Sequence, residues 1–290
     1  MSTEQKPIHH VAIVVHPKMT GVTAEAEYIC TYLNDHQIST FLAKTNQPEL
    51  TQKLELGEFD LMIALGGDGT MLRAGHLTAP LGLPLLGINL GRFGFLMQLS
   101  RSEWREFFPR LLTGEYQVEN RMMLQAEHWR KDVLLDTFQV INEVVVCRGQ
   151  VVRPIRIRAE VDGYLLASYV ADGLIAATPT GSTAYALAVG GPIMPPELHN
   201  ILIVPVAPHL SMDRAVILPI GACVNIFAAS DHQAVMSIDG HTPVMLKNED
   251  RVLVAASKYH VRFVVFQDPG YFYRNLSNYL ERNPSIGEMK

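Results

Sequence analysis

The sequence lacks the marks of several large protein classes. Only three cysteines occur in 290 residues, Cys30, Cys147 and Cys223. They are odd in number and far apart, which excludes a disulfide framework, matches no zinc spacing and suits a reducing compartment. Basic residues are outnumbered: 24 Lys and Arg against 29 Asp and Glu leave a net charge of −5. A nucleic-acid binder would show a basic stripe instead, so phosphorylated ligands have to be met by local arginines and backbone amides. Residues 1–7 are polar and lack the apolar core of a secretory signal. The longest uncharged stretch, residues 174–196, approaches the roughly 20 residues that span a bilayer. It is broken by Pro179, Gly181, Gly190, Gly191, Pro192 and Pro195, and reads as a binding loop. The chain is expected to be cytoplasmic. No GxxxxGK[ST] phosphate loop occurs, and the glycine-rich turns lack the Rossmann GxGxxG spacing.

What is present is a chain with ample core, 48% apolar and 18% charged, long enough for one large domain or two ordinary ones. Residues 10–15, 39–42, 61–65 and 83–89 read as strands. Residues 21–34, 50–56 and 71–77 read as helices, as do residues 102–112, opened by Ser102. Such alternation predicts a parallel sheet covered by helices. Beyond Gly114 the helical period fades. Strand-like runs follow at 122–129, 134–147, 154–161, 201–206, 216–218, 224–228, 234–238, 251–256 and 261–266, with a hairpin signal at Asp162-Gly163. Residues 271–282 return to helical spacing, with Phe272, Leu276, Tyr279 and Leu280 on one side. The expected domains are an α/β unit at 1–118, a β-rich unit at 119–268 and a C-terminal helix at 269–290.

Four segments carry chemistry. In Gly66-Gly67-Asp68-Gly69-Thr70 an apolar strand stops at three glycines around one acid, and a helix follows. Glycine permits close approach of a ligand to the backbone, and helix-start amides suit phosphate. An acid there repels phosphate, so Asp68 is assigned to Mg²⁺ or to a hydroxyl proton, and the loop reads as phosphoryl transfer. A plain helix cap is the alternative. The second segment, residues 87–95, is another glycine-rich turn, in which Phe93 and Phe95 serve either core or ligand. In the third, Asn142-Glu143 interrupts the run Val140, Ile141, Val144, Val145 and Val146. A buried acid needs a partner, and a ligand contact is favoured over an internal salt bridge.

The fourth segment joins Asp172-Gly173-Leu174 to Thr178-Pro179-Thr180-Gly181-Ser182-Thr183-Ala184-Tyr185 and Gly190-Gly191-Pro192. Small hydroxyl residues suit sugars or base edges, Tyr185 offers a stacking face, and Thr180 or Ser182 can also cap a helix. His209 and His241 read as structural rather than as bases.

Together these segments resemble the NAD kinase family over most of residues 11–282. The Gly-Gly-Asp-Gly-Thr loop alone is shared with diacylglycerol-type lipid kinases and, more loosely, phosphofructokinases. The later Asp172 to Gly191 pattern and the Asn142-Glu143 pair separate them. The resemblance implies an N-terminal three-layer α/β (Rossmann-like) domain, a β-rich C-terminal domain, an active site between them and a C-terminal helix returning to the first. It implies transfer of the γ-phosphoryl group of ATP, with Mg²⁺, to the 2′-hydroxyl of the adenosine ribose of NAD, giving NADP. The implied substrate contacts are Gly67, Asp68, Gly69, Arg73, Phe95, Asn142, Glu143, Asp172, Thr180, Thr183, Ala184 and Tyr185. Among them Asp68 lies by the ribose and is catalytic. By the same resemblance Asn142, Thr183 and Ala184 would hold adenine, Glu143 would meet a ribose hydroxyl, and Phe95 and Tyr185 would line the base pocket. Asp172 meets the nicotinamide end, often from a neighbouring subunit, which implies a homodimer or homotetramer. Many relatives carry arginine where this chain has Val170 and serine where it has Ala188, so Arg73, Arg92 or Arg148 could face phosphate instead. A lipid kinase and a non-catalytic NAD(P) sensor are the competing readings.

Overall fold

A computed structural model describes residues 7–16, 22–91, 94–209, 212–268 and 270–281. The chain divides into two compact units. The first comprises the described residues up to Asn120 and from His260 onward, the second Arg121–Tyr259. The residues 260–268 that the sequence pattern groups with the β-rich part therefore belong to the first unit, where Val264 and Phe266 join its core.

The first unit alternates strand and helix: β1 (His10–Val15), α1 (Val22–Asp35), β2 (Ser39–Lys44), α2 (Pro48–Glu55), β3 (Leu61–Gly66), α3 (Asp68–Thr78), β4 (Leu85–Asn89), β5 (Leu99–Ser100) and α4 (Trp104–Leu112). β1 pairs in parallel with β2 and β3, and β3 with β4, as the alternation predicts. Both sheet faces are covered, so β3 is apolar and buried at every position. On one face Val11, Ile13, Ile63, Leu65, Leu86 and Ile88 pack with Ala26, Ile29 and Leu33 of α1 and Trp104, Phe108 and Leu111 of α4. On the other, α3 approaches so closely that a Cβ at Gly87 would stand 2.9 Å from the Met71 side chain. Helix α4 begins at Trp104, without a side-chain cap. Ser102 does not open it; Glu103 instead accepts the Ser100 N–H at 2.7 Å.

The chain enters the second unit through β6 (Gln117–Arg130), followed by β7 (Val133–Val140), β8 (Glu143–Arg148), β9 (Ile155–Val161), β10 (Tyr164–Ala171), β11 (Gly173–Ala177), a 3₁₀ turn (Thr180–Thr183) and α5 (Tyr185–Ala188). Then come β12 (Asn200–Val206), β13 (Val216–Pro219), β14 (Val224–Ala229), β15 (Ala234–Ile238), β16 (Val244–Leu246) and β17 (Asp250–Val265). The two runs expected at 251–256 and 261–266 are one strand; its later residues re-enter the first unit, where Phe263 registers with Leu85. A final helix, α6 (Tyr271–Glu281), follows there, with Phe272 and Leu276 half-buried and Tyr273 exposed. The Tyr279 and Leu280 side chains and Arg282 lie outside the described residues.

Within the second unit one sheet runs β13-β12-β11-β8-β15-β16, and a second layer contains β10-β9-β14-β17 with β6 and β7. Val144, Val146, Leu174, Ala176, Ile201, Ile203 and Met236 of the first face Ile155, Ile157, Tyr169, Val224, Ile226, Val252 and Val254 of the second across one core. Val145, Ile175, Ala177, Leu202 and Val204 point the other way, against Ala186 and Met194. β8 and β11 are thus buried on both faces, which explains their continuous apolar runs. The Asp162-Gly163 hairpin forms as expected, with φ +53° and +84° and Val161 opposite Tyr164.

Candidate active site

In the first unit β3 delivers the chain to Gly66, where an added Cβ would sit 2.9 Å from Thr70 Cβ. No other residue fits so close to the helix it precedes. Gly67 is the N-cap, extended and without a side-chain cap bond, and α3 starts at Asp68, three residues earlier than its apolar pattern suggests. Asp68 is not the helix cap. Its Oδ2 accepts the Phe95 N–H at 3.0 Å and its Oδ1 the Leu96 N–H at 3.2 Å. The two glycine-rich turns therefore meet at one carboxylate. Gly94 makes room for it, since a side chain there would drive its Cβ onto the Asp68 carboxyl carbon, 2.5 Å away. At Gly67 and Gly69 a Cβ would meet nothing within 4 Å, so those glycines leave backbone open rather than serve internal packing. Arg73 is exposed and Phe95 half-buried, while Arg92 and Phe93 lie outside the described residues. The second turn is anchored by Asn89, whose Oδ1 accepts the Gly91 N–H at 2.9 Å.

The other candidate residues belong to the second unit. Asn142 does not lie in a strand: β7 ends at Val140 and β8 starts at Glu143. The break has a cause the sequence pattern did not single out. The carboxylate of Asp239 accepts the backbone N–H of Ile141 at 2.8 Å, of Asn142 at 2.8 Å and of Glu143 at 3.0 Å. Successive amides converging on one anion form a nest, which a pleated strand cannot do. From the carbonyl side, Asn142 O accepts the Thr178 N–H at 2.9 Å and Ile141 O the Thr178 hydroxyl at 2.6 Å. Gly181 packs directly on the Asn142 backbone, whose Cα a Cβ would approach to 2.7 Å.

Asn142 Oδ1 and Glu143 Oε2 emerge from this clamp buried and without hydrogen-bond partners. Glu143 is 6% exposed, and among the described residues no cation pairs with it. Burial is the main force pushing its carboxyl up to about 8; the Asp239 charge adds to it, and the Tyr185 N–H opposes it. At neutral pH the Glu143 carboxyl is mostly protonated, a form that is able both to donate and to accept.

The hydroxyl-rich loop is less free than its composition suggests. The Thr178 hydroxyl also accepts the Gly181 N–H at 3.0 Å. Ser182 bonds Pro179 O and the Met194 N–H, and Thr183 bonds Thr180 O. Neither Thr180 nor Ser182 caps a helix through its side chain. Thr180 is buried, Thr183 and Ala184 are half-buried, and Tyr185 presents a ring that is 44% exposed. Asp172 lies beside Arg148, with Oδ1 3.1 Å from Nε, a charge contact without hydrogen-bond alignment. His209 and His241 are both exposed.

The comparisons with known proteins agree along most of the chain. The model of the ATP-NAD kinase N-terminal domain matches residues 5–116, and that of the ATP-NAD kinase C-terminal domain residues 141–266. An NAD kinase of Acidithiobacillus ferrooxidans is 41% identical over 279 residues, covering 92% of this chain and 94% of its own. One from Dehalococcoides mccartyi is 32% identical over 275 residues, covering 94% and 96%. Among solved structures, yeast NADH kinase complexed with NADH superposes with a TM-score of 0.84 at 24% identity, over 99% of this chain and 91% of that one, a likeness of fold. An NAD kinase from Archaeoglobus fulgidus in complex with ATP gives 0.76 at 26% identity, over 94% and 99%. The matches in both halves set aside the lipid-kinase and non-catalytic readings of the glycine loop. Matched in order through both domains and along nearly its full length, the chain belongs to the NAD kinase family.

Proposed function

We propose that this enzyme, which phosphorylates NAD to NADP with ATP, uses Asp68 to orient the adenosine-ribose 2′-hydroxyl and to take its proton as the new bond to the γ-phosphorus forms and the bond to the ADP leaving group breaks. The observation that carries this reading is the carboxylate gripped by the Phe95 and Leu96 amides at the start of α3. A hydroxyl is a poor nucleophile at neutral pH, and a fixed carboxylate within hydrogen-bond reach relieves that barrier. The open backbone at Gly67 and Gly69 and the nearby Arg73 are assigned to the phosphates. Mg²⁺ enters with ATP as part of the substrate and neutralises phosphate charge. In the second unit Asn142, Thr183 and Ala184 are assigned to adenine, Glu143 to a ribose hydroxyl, Tyr185 to a base face and Asp172 to the nicotinamide end; in the first unit Phe95 is assigned to a base face.

The same reading places the enzyme in the cytoplasm as a homo-oligomer. Three free cysteines suit a reducing compartment, and no helix among the described residues is long and apolar enough to cross a membrane. The edge strand β10 exposes Tyr164 and Leu165, apolar surface of the kind that association covers. Light scattering of the purified protein tests the oligomer.

The test of the mechanism is NADP formation from NAD, ATP and Mg²⁺ by the native protein and by Asp68→Asn. The amide keeps the shape but cannot accept the proton. Turnover is expected to fall by about 10²–10⁴-fold, with NAD affinity little changed. Near-native turnover in a folded Asp68→Asn protein would remove Asp68 from the chemistry.

A further inference from the structure

We propose that Asp239 is a positioning residue for the nucleotide: its carboxylate holds the backbone at residues 141–143 so that the Asn142 and Glu143 side chains are presented to NAD. The inference rests on the assignment of those two side chains to the substrate. Asp239 lies in the turn after β15, at φ +47°, and it makes no claim on the chemistry itself.

Three observations converge. First, the contact is multiple: three successive amides point at one carboxylate, and the Asp239 N–H in turn donates to Glu143 O at 3.0 Å. Such a nest fixes three consecutive residues, whereas a single cap bond would fix one. Second, the held segment presents rather than hides its polar atoms. Asn142 Oδ1 and Glu143 Oε2 have no partner in a buried setting, an arrangement that costs free energy unless a ligand completes it. Third, the clamp is two-sided, since Thr178 and Gly181 hold the same segment from the loop that carries Thr183, Ala184 and Tyr185. Asp239 thus aligns two parts of the assigned nucleotide site that lie far apart in sequence.

Its charge has a further consequence. The groups acting on the Glu143 carboxyl are Asp239 and the Tyr185 amide. β11 sets the uncharged Ala177 opposite it, and β15 sets Ile238 beside its neighbour Val144. Removing the Asp239 charge leaves Glu143 easier to ionise.

The experiment titrates NAD and ATP separately, by calorimetry from pH 6 to 9, into the native protein, Asp239→Asn, Asp239→Ser and Glu143→Gln, with kcat measured alongside. An asparagine turns its NH₂ group toward one of the three amides and breaks the nest. Asp239→Asn is expected to weaken NAD binding about 10–100-fold, with ATP affinity and kcat at saturating NAD nearly native, the pattern of lost uniform binding. NAD affinity of the native protein should change near pH 8. That change should move to lower pH in both Asp239 variants and vanish in Glu143→Gln. A purely structural Asp239 would weaken NAD and ATP binding alike. Native NAD affinity in a folded Asp239→Asn protein, or an unmoved pH dependence, overturns the proposal. So does failure of both Asp239 variants to fold, which would make the residue a folding determinant only. A native protein that binds NAD but forms no NADP would instead withdraw the role given to Asp68, and the titrations would still decide this proposal.

Discussion

At the scale of single residues, the site depends on positions where nothing larger fits. Gly94 is one, because any side chain would enter the space of the Asp68 carboxylate. Gly94→Ala is expected to displace Asp68 and lower kcat by about tenfold or more, since misplacing a reacting group by an ångström can cost roughly 10²-fold. Single-turnover assays together with NAD titration would separate lost chemistry from lost binding. Glu143 is the other instructive residue. Its folded-state carboxyl titrates near 8 against an ordinary value of 4.5, chiefly through burial. Between those values the native state holds a proton that the unfolded chain has released, so stability falls as pH rises from about 4.5 to 8 and levels off above. Each pH unit costs about 1.4 kcal/mol. Glu143→Gln should therefore flatten this dependence and make the protein more stable than native at pH 8. Urea denaturation at pH 5 and pH 8 checks it.

At the scale of elements, the strand ends are tied by buried charge. Asp250 opens β17 and is 1% exposed. It lies 2.8 Å from His128 Nε2, accepts Arg130 Nε and Nη2, both on β6, and accepts the Lys247 N–H at 2.8 Å. Burial works to raise its carboxyl, but Arg130, the Lys247 amide and His128 together hold it at about 2. The folded value is below the ordinary 3.8, so this stabilisation is present above about pH 4 and lost as pH falls through 2. Asp250→Asn should lower stability at neutral pH by roughly 1–3 kcal/mol and remove that acid-side loss, as melting curves from pH 2 to 7 would show. Most elements were legible from local pattern, because helices and strands announce themselves by period. The break between β7 and β8 was not. Residues 134–147 read as one strand-like run with Asn142-Glu143 set in it, and only a carboxylate from the turn after β15 breaks the strand there.

At the scale of the whole molecule, the chain passes from the first unit to the second and back. The residues that return are core: Val264 and Phe266 pack with α1 and α4 of the first unit, and Phe263 registers with Leu85. Two truncations should therefore behave differently. Ending the chain after Pro269 removes α6, whose described residues are at most half-buried, and should lower the Tm by a few degrees, as loss of about 1–2 kcal/mol would. Ending it after Tyr259 also strips these core side chains, each contributing about 1.5–3 kcal/mol, and should leave the first unit unfolded. Equal melting of the two truncated proteins would contradict this division of labour.

The sequence by itself determined the strand–helix alternation of the first unit, the β-rich character of the second, the Asp162-Gly163 hairpin and the glycine-rich turn between β3 and α3. Those are local signals, written in period and turn chemistry within a few residues. Only the tertiary structure decided what each side chain meets. Asp68 finds its amides 27 and 28 residues away, Asp239 finds those of residues 141–143 across 96 to 98, and Arg148 is drawn to Asp172. Such partners follow from which strands lie side by side, and strand order is set by the packing of two-faced sheets on their cores, which no short-range pattern encodes.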